Sequence, residues 1–217
     1  MKLLVRYGKR GAMRFASHRD FARVFERALR RAQIPMAYSS GFNPHQRVSY
    51  VNPAPTGALS EAEFVVISLR EVVDPADVRT RLCVAMPVGF PIIDVTPVKA
   101  DQCFDASRWQ VGLGGLDRGD LAGAVDSLKG LSEALVSRQT KKGIRTFDVL
   151  PPLEALRLVG ADTLDMVIRQ TEPLVRPDDV VSAVRAAGGL DEVTSVMTRL
   201  AQGPVADMVG LVEDAQA

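Results

Sequence analysis

The sequence predicts an α+β fold built twice over, on three observations. Strand-length runs rich in β-branched residues, such as Glu63-Phe64-Val65-Val66-Ile67-Ser68-Leu69, are bounded by polar or turn residues. Between them lie helix-length runs with apolar residues at three- and four-residue spacing; Phe21, Val24, Phe25, Ala28, Leu29 and Ala32 are the clearest case. The order strand, helix, strand, strand, helix, strand occurs once in residues 1–104 and again in residues 105–217, which are taken as two domains. That order is the ferredoxin-like split βαβ unit, so the expectation is two tandem ferredoxin-like domains, each an antiparallel sheet with helices on one face.

In the first half, residues 2–7 alternate as a strand with Leu3, Val5 and Tyr7 on one side. Gly8-Lys9-Arg10-Gly11 is a basic turn, and residues 12–16 continue the strand. Ser17 reads as the N-cap of a helix, with Asp20 as the reciprocal acid three residues on. Ile34-Pro35 ends that helix. Residues 46–52 and 63–69 are strands, separated by the turn at Pro53-Ala54-Pro55-Thr56-Gly57. A helix opens at Pro75, with Val78, Leu82 and either Val84 or Ala85 toward the core. Residues 92–98 close the half as a strand.

In the second half, residues 109–113 form a strand and 118–128 a helix. Residues 132–138 are the second strand. A long excursion follows, through the basic turn Gln139-Thr140-Lys141-Lys142-Gly143-Ile144-Arg145-Thr146 and Pro151-Pro152. Residues 155–159 and 162–169 pair across Gly160-Ala161, 176–187 are a helix, and 192–200 a last strand. The acidic tail is expected to be partly disordered.

The composition is that of a packed globular protein, 47% hydrophobic and 24% charged. No apolar run approaches a membrane span, and the start, Met1-Lys2-Leu3-Leu4-Val5-Arg6, turns polar too quickly for a secretory signal. The expected location is the cytoplasm, with no membrane partner. Cys83, Cys103, His18 and His45 lack metal-type spacing, so no metal and no cofactor are expected. Cys83, in an apolar context, reads as a small core residue.

Charge carries the functional signal. The total is +1, yet residues 1–50 hold eleven Lys and Arg against Asp20 and Glu26, a surplus of nine that leaves −8 for the remainder. At roughly 100° per residue, Arg19, Arg23, Arg27 and Arg30 fall opposite the helix's apolar stripe. A solvated face normally mixes signs, because like charges at this spacing repel. Clustered arginine therefore points to an anionic partner, phosphate being the commonest. Arg14, Arg31 and Arg47 extend the set.

After the helix comes Ala37-Tyr38-Ser39-Ser40-Gly41-Phe42-Asn43-Pro44-His45-Gln46-Arg47-Val48-Ser49-Tyr50, with the turn signals Ser-Gly and Asn-Pro. So many polar groups suit a loop that presents side chains and backbone N–H groups, not a core strand. Tyr38, Phe42 and Tyr50 are candidates to stack on bases, which favours single-stranded RNA. Ser39, Gly41, Asn43 and His45 complete the loop's candidate contacts, and Lys141, Lys142 and Arg145 form a second basic patch.

Met13-Arg14-Phe15-Ala16-Ser17-His18-Arg19-Asp20, Arg27-Ala28-Leu29-Arg30-Arg31-Ala32, Tyr38-Ser39-Ser40-Gly41-Phe42-Asn43-Pro44-His45 and Lys141-Lys142-Gly143-Ile144-Arg145 together resemble the radical SAM-linked protein family, a domain of unknown function fused to, or encoded beside, a radical S-adenosylmethionine protein. The chain lacks the three-cysteine motif that holds a radical cluster. The resemblance thus implies an accessory or substrate-recognition role on single-stranded or structured RNA, with a radical SAM protein as partner. The tandem layout is also similar to that of CRISPR-RNA processing endoribonucleases.

The enzymatic alternative is a metal-independent ribonuclease. His18 and His45 would supply base and acid, and Lys142 or Arg145 a cation for the phosphorane. A third reading is a protein-interaction subunit of a radical SAM assembly. Binding of RNA is placed ahead of both.

Overall fold

The computed structural model describes residues 1–140 and 143–213. The chain is mixed α+β and divides into two compact units, Met1–Gln102 and Cys103–Ala217.

The first unit runs β1 (Lys2–Lys9), a 3₁₀ helix (Gly11–Phe15), α1 (His18–Arg31), β2 (Val48–Val51), β3 (Leu59–Ser68), α2 (Pro75–Ala85) and β4 (Ile92–Pro97). Its strands pair antiparallel in the order β4-β1-β3-β2, with Val5 opposite both Val65 and Val95, and Tyr50 opposite Val65. Leu3, Val5 and Tyr7 of β1 enter one core with Phe21, Phe25, Ala28 and Leu29 of α1 and with Val78, Leu82 and Ala85 of α2. Phe21 organises it, stacking on Tyr7 at 4.0 Å between centroids and meeting Phe90 edge-on at 5.1 Å. Each such side chain contributes about 1.5–3 kcal/mol on full burial. Together they fix which face of α1 turns inward.

Both ends of α1 are set by identifiable groups. Ser17 Oγ accepts from the Asp20 N–H, and the Asp20 carboxylate accepts from the Ser17 N–H and hydroxyl, a complete capping box. At the other end, Arg81 of α2 donates to the Ala32 and Gln33 carbonyls and forms an ion pair with Asp77. Gln33 adopts φ +53°, and the helix does not continue past it.

Two expectations need correcting here. Residues 12–16 do not extend β1. Gly11 adopts φ +55°, the Arg10 N–H donates to the Gly89 carbonyl, and the chain winds into the 3₁₀ helix. Cys83 is exposed, because α2 turns Val78, Leu82 and Ala85 inward instead.

The second unit runs β5 (Ala106–Gly114), α3 (Arg118–Lys129), β6 (Leu135–Thr140), β7 (Gly143–Asp148), β8 (Leu153–Val159), β9 (Thr163–Arg169), α4 (Pro177–Gly188), β10 (Thr194–Gly203) and α5 (Val205–Glu213). Its main strands pair antiparallel in the order β10-β5-β9-β8. β6 and β7 pair only with each other. The expected second strand at 132–138 is therefore one arm of an inserted hairpin, and β8 takes the place beside β9. The expected loose tail is α5 as far as Glu213, with Met208 and Val212 packed on Ala106 and Val167.

Candidate nucleic-acid interface

Burial of Phe21, Phe25, Ala28 and Leu29 leaves the opposite side of α1 to solvent, and Arg19, Arg23, Arg27, Arg30 and Arg31 are all exposed there. Over the 12 residues from Arg19 to Arg31 the helix rises about 18 Å. Among the described residues none of these arginines enters an ion pair. Glu26 lies on the same helix, and Asp20 is engaged by Ser17. Those hydrogen bonds, with a smaller contribution from Arg23, hold the Asp20 carboxyl below its usual range.

Not every cation of the first fifty residues belongs to this face. Arg10 is held by both carboxylate oxygens of Glu61 at 2.7 and 2.6 Å, and that contact raises its pKa. Lys9 is buried and donates to the Pro55 carbonyl. Arg14 lies over the exposed ring of Phe15, 4.6 Å from its centroid. Of these three, Arg10 has its charge met by a carboxylate in an ion pair.

That loop leaves the C-terminal end of α1, beside Arg30 and Arg31. Met36 pairs with Leu69, the Ala37 N–H donates to the Ser68 carbonyl, and the Ser68 N–H donates to the Arg47 carbonyl. Ser39 and His45 then close residues 39–45 on themselves: the Ser39 N–H donates to the His45 carbonyl at 2.8 Å, and the His45 N–H to Ser39 Oγ at 3.0 Å. Gly41 takes φ +124°, where a side chain would be strained. Phe42, Asn43, His45 and Arg47 are exposed, Phe42 completely, and Tyr38 is half exposed beside them.

Tyr50 does not join this aromatic set. Its hydroxyl is buried, with no hydrogen-bond partner among the described residues, and its ring meets His18 edge-on at 4.6 Å. Burial, helped by Glu26, pushes its pKa well above the ordinary tyrosine value. His18 is thereby placed at the β2 end near Tyr50, whereas His45 precedes the start of β2. Five residues of extended chain between His45 and Tyr50 span on the order of 17 Å. His18 packs on Tyr50, and His45 is bonded through its main chain to Ser39.

In the second unit, Arg145 lies on β7 and forms an exposed ion pair with Glu172 at 3.4 Å. Lys141 and Lys142 lie outside the described residues. Among the described residues no three His, Cys, Asp or Glu side chains gather as a metal group, and no helix is long and apolar enough to cross a membrane. The sequence reading missed Phe15 as an exposed aromatic. It also left Val84 undecided; the structure buries Ala85 and leaves Val84 outside.

Fold and surface together define a mixed α+β protein that carries an uncompensated cationic helix. The chain belongs to DUF2344, a family described as an uncharacterized protein conserved in bacteria, whose model matches residues 2–177. That description names neither radical SAM chemistry nor RNA processing. No curated protein matches the chain. The crystal structure of an unknown protein from Galdieria sulphuraria is 14% identical and covers 91% of this chain and 96% of its own; at a TM-score of 0.24 it carries no argument.

Proposed function

We propose that this protein binds RNA, gripping its phosphates with the arginine face of α1, and that it serves as an accessory or substrate-recognition protein beside a radical SAM enzyme. One observation carries the binding reading. Arg19, Arg23, Arg27, Arg30 and Arg31 stand exposed on a single helix face without a carboxylate partner among the described residues. In the same unit Arg10 and Arg81 each have one. Mutual repulsion on such a face is relieved when phosphates lie against it, and the cations condensed on the RNA are released in exchange. The loop at the end of α1 adds Phe42 and Tyr38 as platforms on which single-stranded bases stack.

The strand orders β4-β1-β3-β2 and β10-β5-β9-β8 support reading the chain as tandem ferredoxin-like domains, an architecture common among RNA-recognition modules. The radical SAM association rests on the sequence resemblance alone. Cleavage is the weaker reading. An acid and a base must both reach one phosphate, and His18 and His45 lie toward opposite ends of β2.

The test is a salt titration of binding to a fluorescent single-stranded RNA. Wild type is expected to lose affinity steeply with salt. Arg23→Glu with Arg27→Glu is expected to reduce the slope by about two while the fold remains intact. If the double variant binds as before, the arginine face is only solvated surface. Intact RNA after incubation separates binding from cleavage.

A further inference from the structure

A second surface of the first unit has a different chemistry. Where α1 passes α2, two adjoining grooves of about 630 and 530 Å³ share Arg31 and Ala85. The first is lined by Val24, Ala28, Ala85 and Pro87 with Arg27 and Arg31 at its edge. The second continues past Ala32, Gln33 and Val84 to Thr80 and Arg81. From Val24 to Arg31, the last residue of α1, the helix rises about 10 Å, which matches two turns of a docked helix.

The apolar part of this surface is uncovered. Val84, in the lining of the second groove, is 84% exposed, and Pro87, in the lining of the first, is also exposed. Exposed valine has no use in holding phosphate and does not stack on bases. An apolar strip with a charged rim marks a surface that binds protein. Its rim is cationic. Arg27 and Arg31 have no carboxylate partner among the described residues, and Arg81 already has Asp77.

We propose that the α1–α2 groove docks an amphipathic helical segment of a partner protein, apolar on the face that enters the groove and acidic along its margins. Apolar side chains of the segment at i, i+3, i+4 and i+7 would lie over Val24, Ala85, Pro87 and Val84. Its carboxylates would meet Arg27 and Arg31. This reading shares Arg27 and Arg31 with RNA binding and is told apart from it at Val84 and Pro87, which play no part there.

A phage library of 16-residue peptides, selected on the full chain, tests it. Peptides enriched on wild type are expected to be net acidic with helical apolar spacing. Synthesised and labelled, they are expected to bind at least about tenfold more weakly to Val84→Glu and to Pro87→Glu by fluorescence anisotropy. Both positions are exposed, so both variants are expected to fold, and circular dichroism checks this. Three results would overturn the proposal: no enrichment over Val84→Glu as a bait, an enriched pool that is not acidic, or wild-type affinity in both variants. Equal loss of single-stranded RNA binding in Val84→Glu would assign the groove to nucleic acid instead, and would also overturn it.

Discussion

The arginines of α1 and the paired arginines of the second unit are the same residue type held in opposite ways. In the second unit, Arg108 and Arg157 both grip the fully buried Asp165, at 2.7 and 2.9 Å, and Arg138 binds Asp179 at the head of α4. Arg169 reaches Glu154, and Arg145 reaches Glu172. In the first unit, the arginines of α1 have no such partners among the described residues. A guanidinium that holds a fold together is recognised by a buried carboxylate acceptor. One that is exposed among neighbours of its own sign, as on α1, is left available to a ligand. Counting arginines alone would not have separated the two roles.

The comparison can be broken most forcefully at Asp165. Asp165→Ala leaves two arginines without their acceptor and is expected to destabilise the protein by about 3–5 kcal/mol in chemical denaturation. A loss under about 1 kcal/mol would mean that the second unit's arginines are as uncommitted as those of α1. The mirror experiment is Arg23→Glu with Arg27→Glu. Stability should stay within about 0.5 kcal/mol of wild type while RNA affinity falls. A large loss of stability would make these arginines structural after all.

Phe42→Ala sharpens the contrast at the loop. Its complete exposure predicts no change in unfolding midpoint, and stacking predicts a loss of about 1–3 kcal/mol in affinity for single-stranded RNA, read by anisotropy. The smallest effect concerns the cap of α1. Asp20 has a depressed pKa in the folded chain, so its contribution is present above the unfolded value, near 3.8, and is lost as pH falls through the folded one. Melting temperatures of wild type and Asp20→Asn are expected to differ at neutral pH and to converge on acidification. A gap that persists at low pH would assign the difference to something other than this carboxylate.

How far the sequence could be read depended on the range of each interaction. The α1 stripe and the Ser17–Asp20 cap are local, and both are found where the spacing put them. Residues 12–16 were misread because the turn at Gly11 is held by Gly89, far along the chain. Arg10 enters the charge surplus of residues 1–50 because its partner, Glu61, is 51 residues away. Likewise, residues 132–138 do look like a strand. Periodicity predicts a strand, but not which neighbour will hydrogen-bond to it, and here the neighbour is β7 and not β9. In the candidate interface the arginine face was legible from helical geometry. That Tyr50 would be withdrawn against His18, leaving Phe42 and Tyr38 outside, was not, because side-chain burial on a strand beside a loop is decided by tertiary packing.

The way residues 39–45 are fastened has a practical consequence. His45 contributes to the closure only through its main-chain N–H and carbonyl, and Ser39 supplies the one side-chain oxygen. The imidazole, and the residues at 42 and 43, are therefore spare as far as shape is concerned. The segment is clipped at its base, so substitutions at its tip are expected to leave the scaffold that carries it undisturbed.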